Sequence, residues 1–147
     1  MSWYPHLTVA TIVEKDSRFL CVEENDNSGL VINQPAGHVE KNETLIDAAV
    51  RETLEETQWQ VEVTSILGNS LFTSPTNNTT YFRTTFIAKA IEFKGAQKLD
   101  SDIERVLWLT FDEILERKKR LRSPMVLEDL YRYKKGESYP LNLIHHF

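Results

Sequence analysis

Cysteine is nearly absent. Cys21 is the only one, so no disulfide can close within the chain. Its stability must come from packing, and a reducing compartment suits it. Cys21 sits in the run Phe19-Leu20-Cys21-Val22 and reads as a small buried residue. Long apolar runs are missing too: none approaches the ~20 residues of a bilayer span, so no membrane partner is expected. The opening residues Ser2-Trp3-Tyr4-Pro5-His6 have no cationic segment ahead of an apolar one. No secretory leader is expected, and the expected compartment is the cytoplasm. Positive charge is short as well. Lys and Arg number 17 against 22 Asp and Glu, a net charge of −5. A nucleic-acid backbone requires a basic face, so no nucleic-acid partner is expected. An acidic chain can still bind phosphates when divalent cations bridge the like charges. Repeats, low-complexity tracts and linkers are lacking, and 147 residues suffice for one core. A single domain over residues 1–147 is expected.

What is present is a series of period-two stretches around one stretch of period 3.6. Residues 6–14 alternate and are rich in β-branched side chains, predicting a strand. Asp16-Ser17 is a turn, and residues 19–23 form the second arm of a hairpin. Glu24 to Gly29 resembles the start of a calcium loop. Pro35 stands where that loop needs its glutamate, so a polar turn is predicted. Residues 30–32 make a short strand, after which Pro35 and Gly37 form a loop into the helix. Residues 61–71 and 79–93 predict paired strands around a turn at 74–78. A polar loop at 94–104 holds Asp100, Asp102 and Glu104, followed by a strand at 105–109. A short helix at 111–118 opens on Asp112-Glu113. Another opens at Pro124 and ends near Gly136. The tail from Tyr139 is irregular. The expected architecture is α/β of the α+β type, with a mixed sheet.

The period-3.6 stretch is predicted to begin near Glu43 with Asn42 as its N-cap. It carries three stripes where an ordinary amphipathic helix carries two. Ile46, Val50, Thr53 and Leu54 form an apolar stripe suited to a sheet. Glu43, Asp47 and Arg51 can pair along a second. Glu52, Glu55 and Glu56, at i, i+3 and i+4, crowd onto the third, with Ala48 and Ala49 one turn earlier leaving space beside them. Like charges at that spacing repel, so the triplet asks for a cation. Oxygen donors with neither cysteine nor paired histidines fit Mg²⁺ or Mn²⁺ rather than Zn²⁺.

Gly37, Glu43, Arg51-Glu52 and Glu55-Glu56 stand at the spacing of the Nudix box, and on it the chain resembles the Nudix family. Two positions depart from the family's pattern. Thr53 replaces an aliphatic residue and Gln58 replaces a glycine. Beyond the box, several stretches resemble the family's NudJ-type phosphatases. They include Pro5-His6, Asn33-Gln34-Pro35-Ala36-Gly37-His38, Ser101-Asp102-Ile103, Leu121-Arg122-Ser123-Pro124 and Tyr139-Pro140-Leu141. The resemblance implies an α/β/α sandwich and a Mg²⁺-dependent hydrolase, with Mn²⁺ as an alternative. It implies Glu52, Glu55 and Glu56 as metal ligands, joined by the carbonyl of Gly37. Arg51 would orient the cluster through Asp47 or Glu43. Glu52 is the first choice of general base, with Asp102 or Glu104 as alternatives. The implied reaction removes the terminal phosphate from nucleoside tri- and diphosphates and from hydroxymethylpyrimidine pyrophosphate, with thiamin pyrophosphate a further candidate.

A flat heterocycle needs an aromatic slot with a few polar edges. Trp3, Tyr4, Phe72 and Tyr81 are candidates to stack on it, and Gln34 and Arg83 to touch its edge or a phosphate. His38 is expected on a surface loop, and His145 and His146 in an unstructured tail. The expected partner is a small phosphoanhydride, handled by a monomer or homodimer. Two rivals stand beside this reading. One is a pyrophosphohydrolase of ADP-ribose or dinucleoside polyphosphates. The other is a nucleotide-sensing module without catalysis.

Overall fold

The computed structural model describes residues 2–96 and 98–147; Met1 and Gln97, the latter in the expected polar loop, lie outside it. Alternation along the first residues produces β1 (His6–Lys15). Asp16 and Ser17 both take positive φ, 51° and 63°. A turn of that sense suits the twist of a hairpin, and it returns the chain as β2 (Arg18–Asp26). β3 (Gly29–Asn33) pairs antiparallel with β2. A short strand, β4 (Ala36–His38), then pairs antiparallel with β1 and sets Gly37 opposite Val9. The loop expected at Pro35 and Gly37 is therefore partly strand. Three residues are too few to display a period.

After the helix α1 (Leu45–Thr57) come two long antiparallel strands, β5 (Trp59–Thr73) and β6 (Thr80–Phe93). β6 lies parallel to β1, which makes the sheet mixed, as expected. β7 (Ile103–Leu109) pairs with β2, and α2 (Phe111–Glu116) and α3 (Pro124–Lys134) follow. The main path of the sheet is β3-β2-β1-β6-β5. β1 is buried continuously from Thr8 to Val13 because both of its faces are covered. Val9 and Val13 meet Ala48 and Ala49 of α1 on one side. Ile12 meets Ile114 of α2 and Val126 and Leu130 of α3 on the other. The result is an α/β/α sandwich. Among the described residues no helix is long and apolar enough to cross a membrane.

α1 differs from expectation at its start and on its buried face. The N-cap is Thr44, whose Oγ1 accepts from the backbone N–H of Asp47 at 3.0 Å. Asn42 instead takes φ 67° in the preceding turn, a conformation asparagine tolerates better than most residues. Ala48 and Ala49 are buried to 0% and 1% exposure. They are the close contact between helix and sheet and do not provide space beside the carboxylates. Thr53 is fully buried. Its hydroxyl donates to the carbonyl of Ala49 at 2.8 Å and shares a 2.9 Å hydrogen bond with Thr11. A polar residue is tolerated on this stripe because its partner stands opposite. Gln58 ends the helix at φ 67°, its N–H bonded to the carbonyl of Leu54. It takes the left-handed conformation that glycine would adopt with about 1 kcal/mol less strain.

The tail is more ordered than expected. Tyr139 exchanges two backbone bonds with Ile66, each 2.8 Å. Leu141 and Ile144 pack on the α1 side of the core. His146 accepts from the N–H of Leu45 at 3.3 Å, which ties the chain's end to the start of α1. Cys21 is buried, as expected, and burial pushes its thiol up to about 12.

Candidate active site

The last two turns of α1 carry the acidic residues, and β4 passes beneath them. A Cβ on Gly37 would lie 2.1 Å from Cδ of Glu52 and 2.3 Å and 2.5 Å from its oxygens. Gly37 is not left-handed; what its missing side chain provides is room for the Glu52 carboxylate to rest on the strand. Glu56 points inward and accepts from the N–H of Ala36 at 2.8 Å. Burial pushes its carboxyl well above the usual range, and Glu24, Glu52 and Asp100 add to the push. Burial also raises Glu52, against the opposing pull of Arg51. Glu55 is the most open of the three, its side chain 40% exposed.

Arg51 ties these groups together. Its Nε and Nη2 donate to the two oxygens of Glu43 at 2.6 and 2.9 Å. Nη1 donates to Glu52 at 2.8 Å and to Glu55 at 3.1 Å, and Nη2 also reaches the carbonyl of His38 at 3.0 Å. Of the two acidic partners expected for Arg51, Glu43 holds it and Asp47 remains exposed. The bidentate geometry is the strong form of this pairing. Arg51 in turn holds the Glu43 carboxyl below its ordinary range.

One residue that carried no role in the sequence reading joins the cluster. Asp100 donates its backbone N–H to the carbonyl of Glu55 at 3.2 Å. One carboxylate oxygen each from Glu52, Glu55 and Asp100 lies within 4.8 Å of the others. Three carboxylates converge while a single arginine pairs with two of them, and a buried fourth, Glu56, stands alongside. Every donor is oxygen. This set fits a hard divalent cation, which favours carboxylates and keeps part of its water shell. The only hint in the sequence was that Asp100 shares its loop with Asp102.

Of the acidic cluster, Glu52 and Glu56 line a cavity of about 420 Å³. Asp102 and Arg83 line it as well, with His38, Phe72 and Tyr81 on the side of the β5–β6 hairpin. His38 Nε2 lies 3.0 Å from His6 Nδ1, and Tyr81 packs edge-on to both rings. His38 thus closes a strand at the cavity mouth, where a loop was expected. The other candidates lie elsewhere. Glu104 is on β7 and accepts from Asn25 at 2.6 Å, outside the cavity lining. Trp3 and Tyr4 are each 72% exposed and do not line the cavity. Gln34 is buried, does not line the cavity, and donates to Asp129 at 3.0 Å. Arg83 reaches the cavity, but its Nη2 donates to the same Asp129 oxygen at 2.9 Å. A polar residue within a strand pattern does not reveal which face it points to, and here the far-face helix α3 claims Gln34 and Arg83.

Comparison with known proteins agrees with this arrangement. The NUDIX domain model matches residues 4–130. Phosphatase NudJ of Escherichia coli strain K12 is 38% identical over 143 residues, 97% of this chain and 92% of that protein. A NUDIX hydrolase from Nitrosomonas europaea superposes with a TM-score of 0.95 at 36% identity, covering 98% of each chain. An ADP-ribose pyrophosphatase from Streptococcus suis shares the fold alone, with a TM-score of 0.66 at 16% identity. The glutamates of α1, the strand beneath them and the full-length match lead to one assignment: the chain belongs to the Nudix family of hydrolases.

Proposed function

We propose that the whole chain acts as one Mg²⁺-dependent phosphatase domain. It would remove the terminal phosphate from nucleoside tri- and diphosphates and from hydroxymethylpyrimidine pyrophosphate, with thiamin pyrophosphate in the same class. The observation that carries this reading is the convergence of Glu52, Glu55 and Asp100, of which Glu52 lines the 420 Å³ cavity. Its support from relatives is the 38% identity to Phosphatase NudJ over nearly the full length.

Glu52, Glu55, Glu56 and Asp100, with the carbonyl of Gly37, would hold the metal. Mn²⁺ suits the same donors. The bound cation supplies neutralisation of phosphate charge and a more acidic water. The chain's own residues do the rest. Arg51 locks the rotamers of Glu52 and Glu55, so the carboxylates converge before substrate arrives. Glu52, settled over Gly37, takes the proton of the attacking water as general base. Asp102, lining the same cavity, is the second carboxylate placed for that task. Phe72 and Tyr81 flank the substrate ring.

The test is a phosphoanhydride panel with and without Mg²⁺, reading the phosphorus products. Orthophosphate released directly from GDP is the expected result. GDP left intact while ADP-ribose is cut would sink the phosphatase reading in favour of a pyrophosphohydrolase. Binding without turnover across the panel would leave a sensing module.

A further inference from the structure

The cavity extends past the acidic wall to a second group of polar residues, Glu24 at the end of β2, Asn33 at the end of β3, and Arg122 ahead of α3. Arg122 is positioned by its backbone. Its N–H donates to the carbonyl of Ile32 at 2.9 Å, and Leu121 bridges Ile32 as a short parallel extension of the sheet. Its Nη1 then donates to Oε1 of Glu24 at 2.7 Å. Asn33 Nδ2 donates to that same oxygen at 3.1 Å. Two consequences follow for the hydrogen-bond inventory. First, Glu24 Oε2 has no donor from the protein among the described residues. Second, Asn33 Oδ1 is buried without any partner, in a side chain more than nine-tenths buried. Flipping the amide does not relieve this. Glu24 is an acceptor only, so it holds Nδ2 toward itself and Oδ1 away.

A buried amide oxygen left unpaired is costly, and native proteins rarely leave one without a ligand or water to answer it. This end of the cavity therefore holds two acceptors without a protein donor among the described residues, Glu24 Oε2 and the enclosed Asn33 Oδ1, beside one guanidinium donor. The complement is a ring edge with two N–H hydrogens next to one acceptor. An exocyclic amino group beside a ring nitrogen or carbonyl has that inventory: guanine, cytosine, adenine and aminopyrimidines qualify. Uracil and hypoxanthine, with one N–H on the corresponding edge, leave one acceptor unanswered.

We propose that Asn33, Glu24 and Arg122 form a specificity site that reads an exocyclic amino group on the heteroaromatic ring of the substrate. This rests on the phosphatase reading above and adds to it the chemistry of the ring that is accepted. Substrate pairs differing chiefly at that edge test it: GDP against IDP, and CDP against UDP, compared by kcat/KM with Mg²⁺. A site built around a hydrogen-bonding group discriminates strongly against its absence. The wild-type protein is expected to favour GDP and CDP by about tenfold or more. Asn33→Ala is expected to narrow both ratios to within about twofold, chiefly by lowering turnover of the amino-bearing partner. Glu24→Gln, which keeps the shape and replaces an acceptor with a donor, should narrow them as well if Asn33→Ala does not fold. Equal rates on all four substrates in the wild type would overturn the amino-group site and leave the phosphatase standing. An unchanged ratio in folded Asn33→Ala would overturn the role of Asn33. No orthophosphate from any of the four would remove the phosphatase reading and this inference with it.

Discussion

Arg83 and Arg51 both sit among carboxylates, yet their surroundings differ in charge balance. Arg83, on β6, has one ionic partner, Asp129 of α3, and the two side chains are each 4% exposed. Gln34 and Thr85 donate to the same Asp129 oxygen. One positive and one negative charge face each other, with neutral groups completing the bonds. Burial pulls Arg83 below its ordinary value while Asp129 pulls it back. Arg51, by contrast, serves Glu43, Glu52 and Glu55, with Glu40 at 3.7 Å, and neither Glu56 nor Asp100 draws on it. The first cluster is electrically closed and joins the sheet to α3. The second carries an excess of negative charge that the protein does not neutralise. A charge deficit held in a cavity wall is what a cation site requires, and a closed pair is what a structural strut requires.

That contrast can be broken from either side. Glu52→Gln is expected to lower kcat by on the order of 10³-fold, as read by orthophosphate release from GDP. The apo protein should melt no lower, because a carboxylate raised by burial has been removed. Wild-type turnover by this variant would end the assignment of Glu52. Asp129→Ala should do the opposite and destabilise the fold by about 3–5 kcal/mol, since it leaves Arg83 buried without its counter-charge. Urea unfolding measures this, and a loss no larger than that of a surface substitution would deny the strut.

Gly37→Ala separates geometry from charge. The new methyl must displace the Glu52 carboxylate, the free end of a flexible side chain. Activity should fall by roughly 10²-fold through misplacement alone, while the urea midpoint moves little. Mg²⁺ should raise the melting temperature of the wild type, by about 2.7 kcal/mol of stabilisation at a hundredfold excess over Kd. It should have far less effect on Glu52→Gln. A pH series gives the smallest signal. Arg51 depresses Glu43, so the stability from that pair is present above the unfolded carboxylate range. It is lost as pH falls through the depressed folded value. Glu43→Gln should flatten this acid limb, and an unaltered limb would place the titration elsewhere.

The parts of the site that were legible in the sequence share one property: they are local. Glu52, Glu55 and Glu56 fall on one face because helical spacing places them there, and Arg51 reaches Glu43, eight residues back in the segment just ahead of the helix cap. Asp100 was not legible. It reaches Glu52 from a loop that follows two long strands, and a bond from its N–H to the carbonyl of Glu55 ties it there. Trp3, Tyr4, Gln34 and Arg83 were chosen by residue type. Residue type does not specify which side of a strand faces the cavity: the structure buries Gln34 against Asp129, ties Arg83 to the same carboxylate while it still lines the cavity, and leaves the two aromatics in solvent. Asn33 and Arg122 lay inside stretches that resembled relatives, and Glu24 opened what read as a polar turn. Their pattern of filled and unfilled hydrogen bonds exists only once β2, β3 and the segment before α3 are side by side.

The sequence by itself determined the helix, its acidic face, the alternation that makes a mixed sheet, and membership of the Nudix family. These depend on periods and spacings that the covalent chain imposes. Tertiary structure alone decided that Ala48 and Ala49 are contact points, that Gly37 lies in a strand beneath Glu52, and that Asp100 completes the cluster. Each of those depends on contacts between segments far apart in the chain, where burial and unpaired polar atoms select the partner.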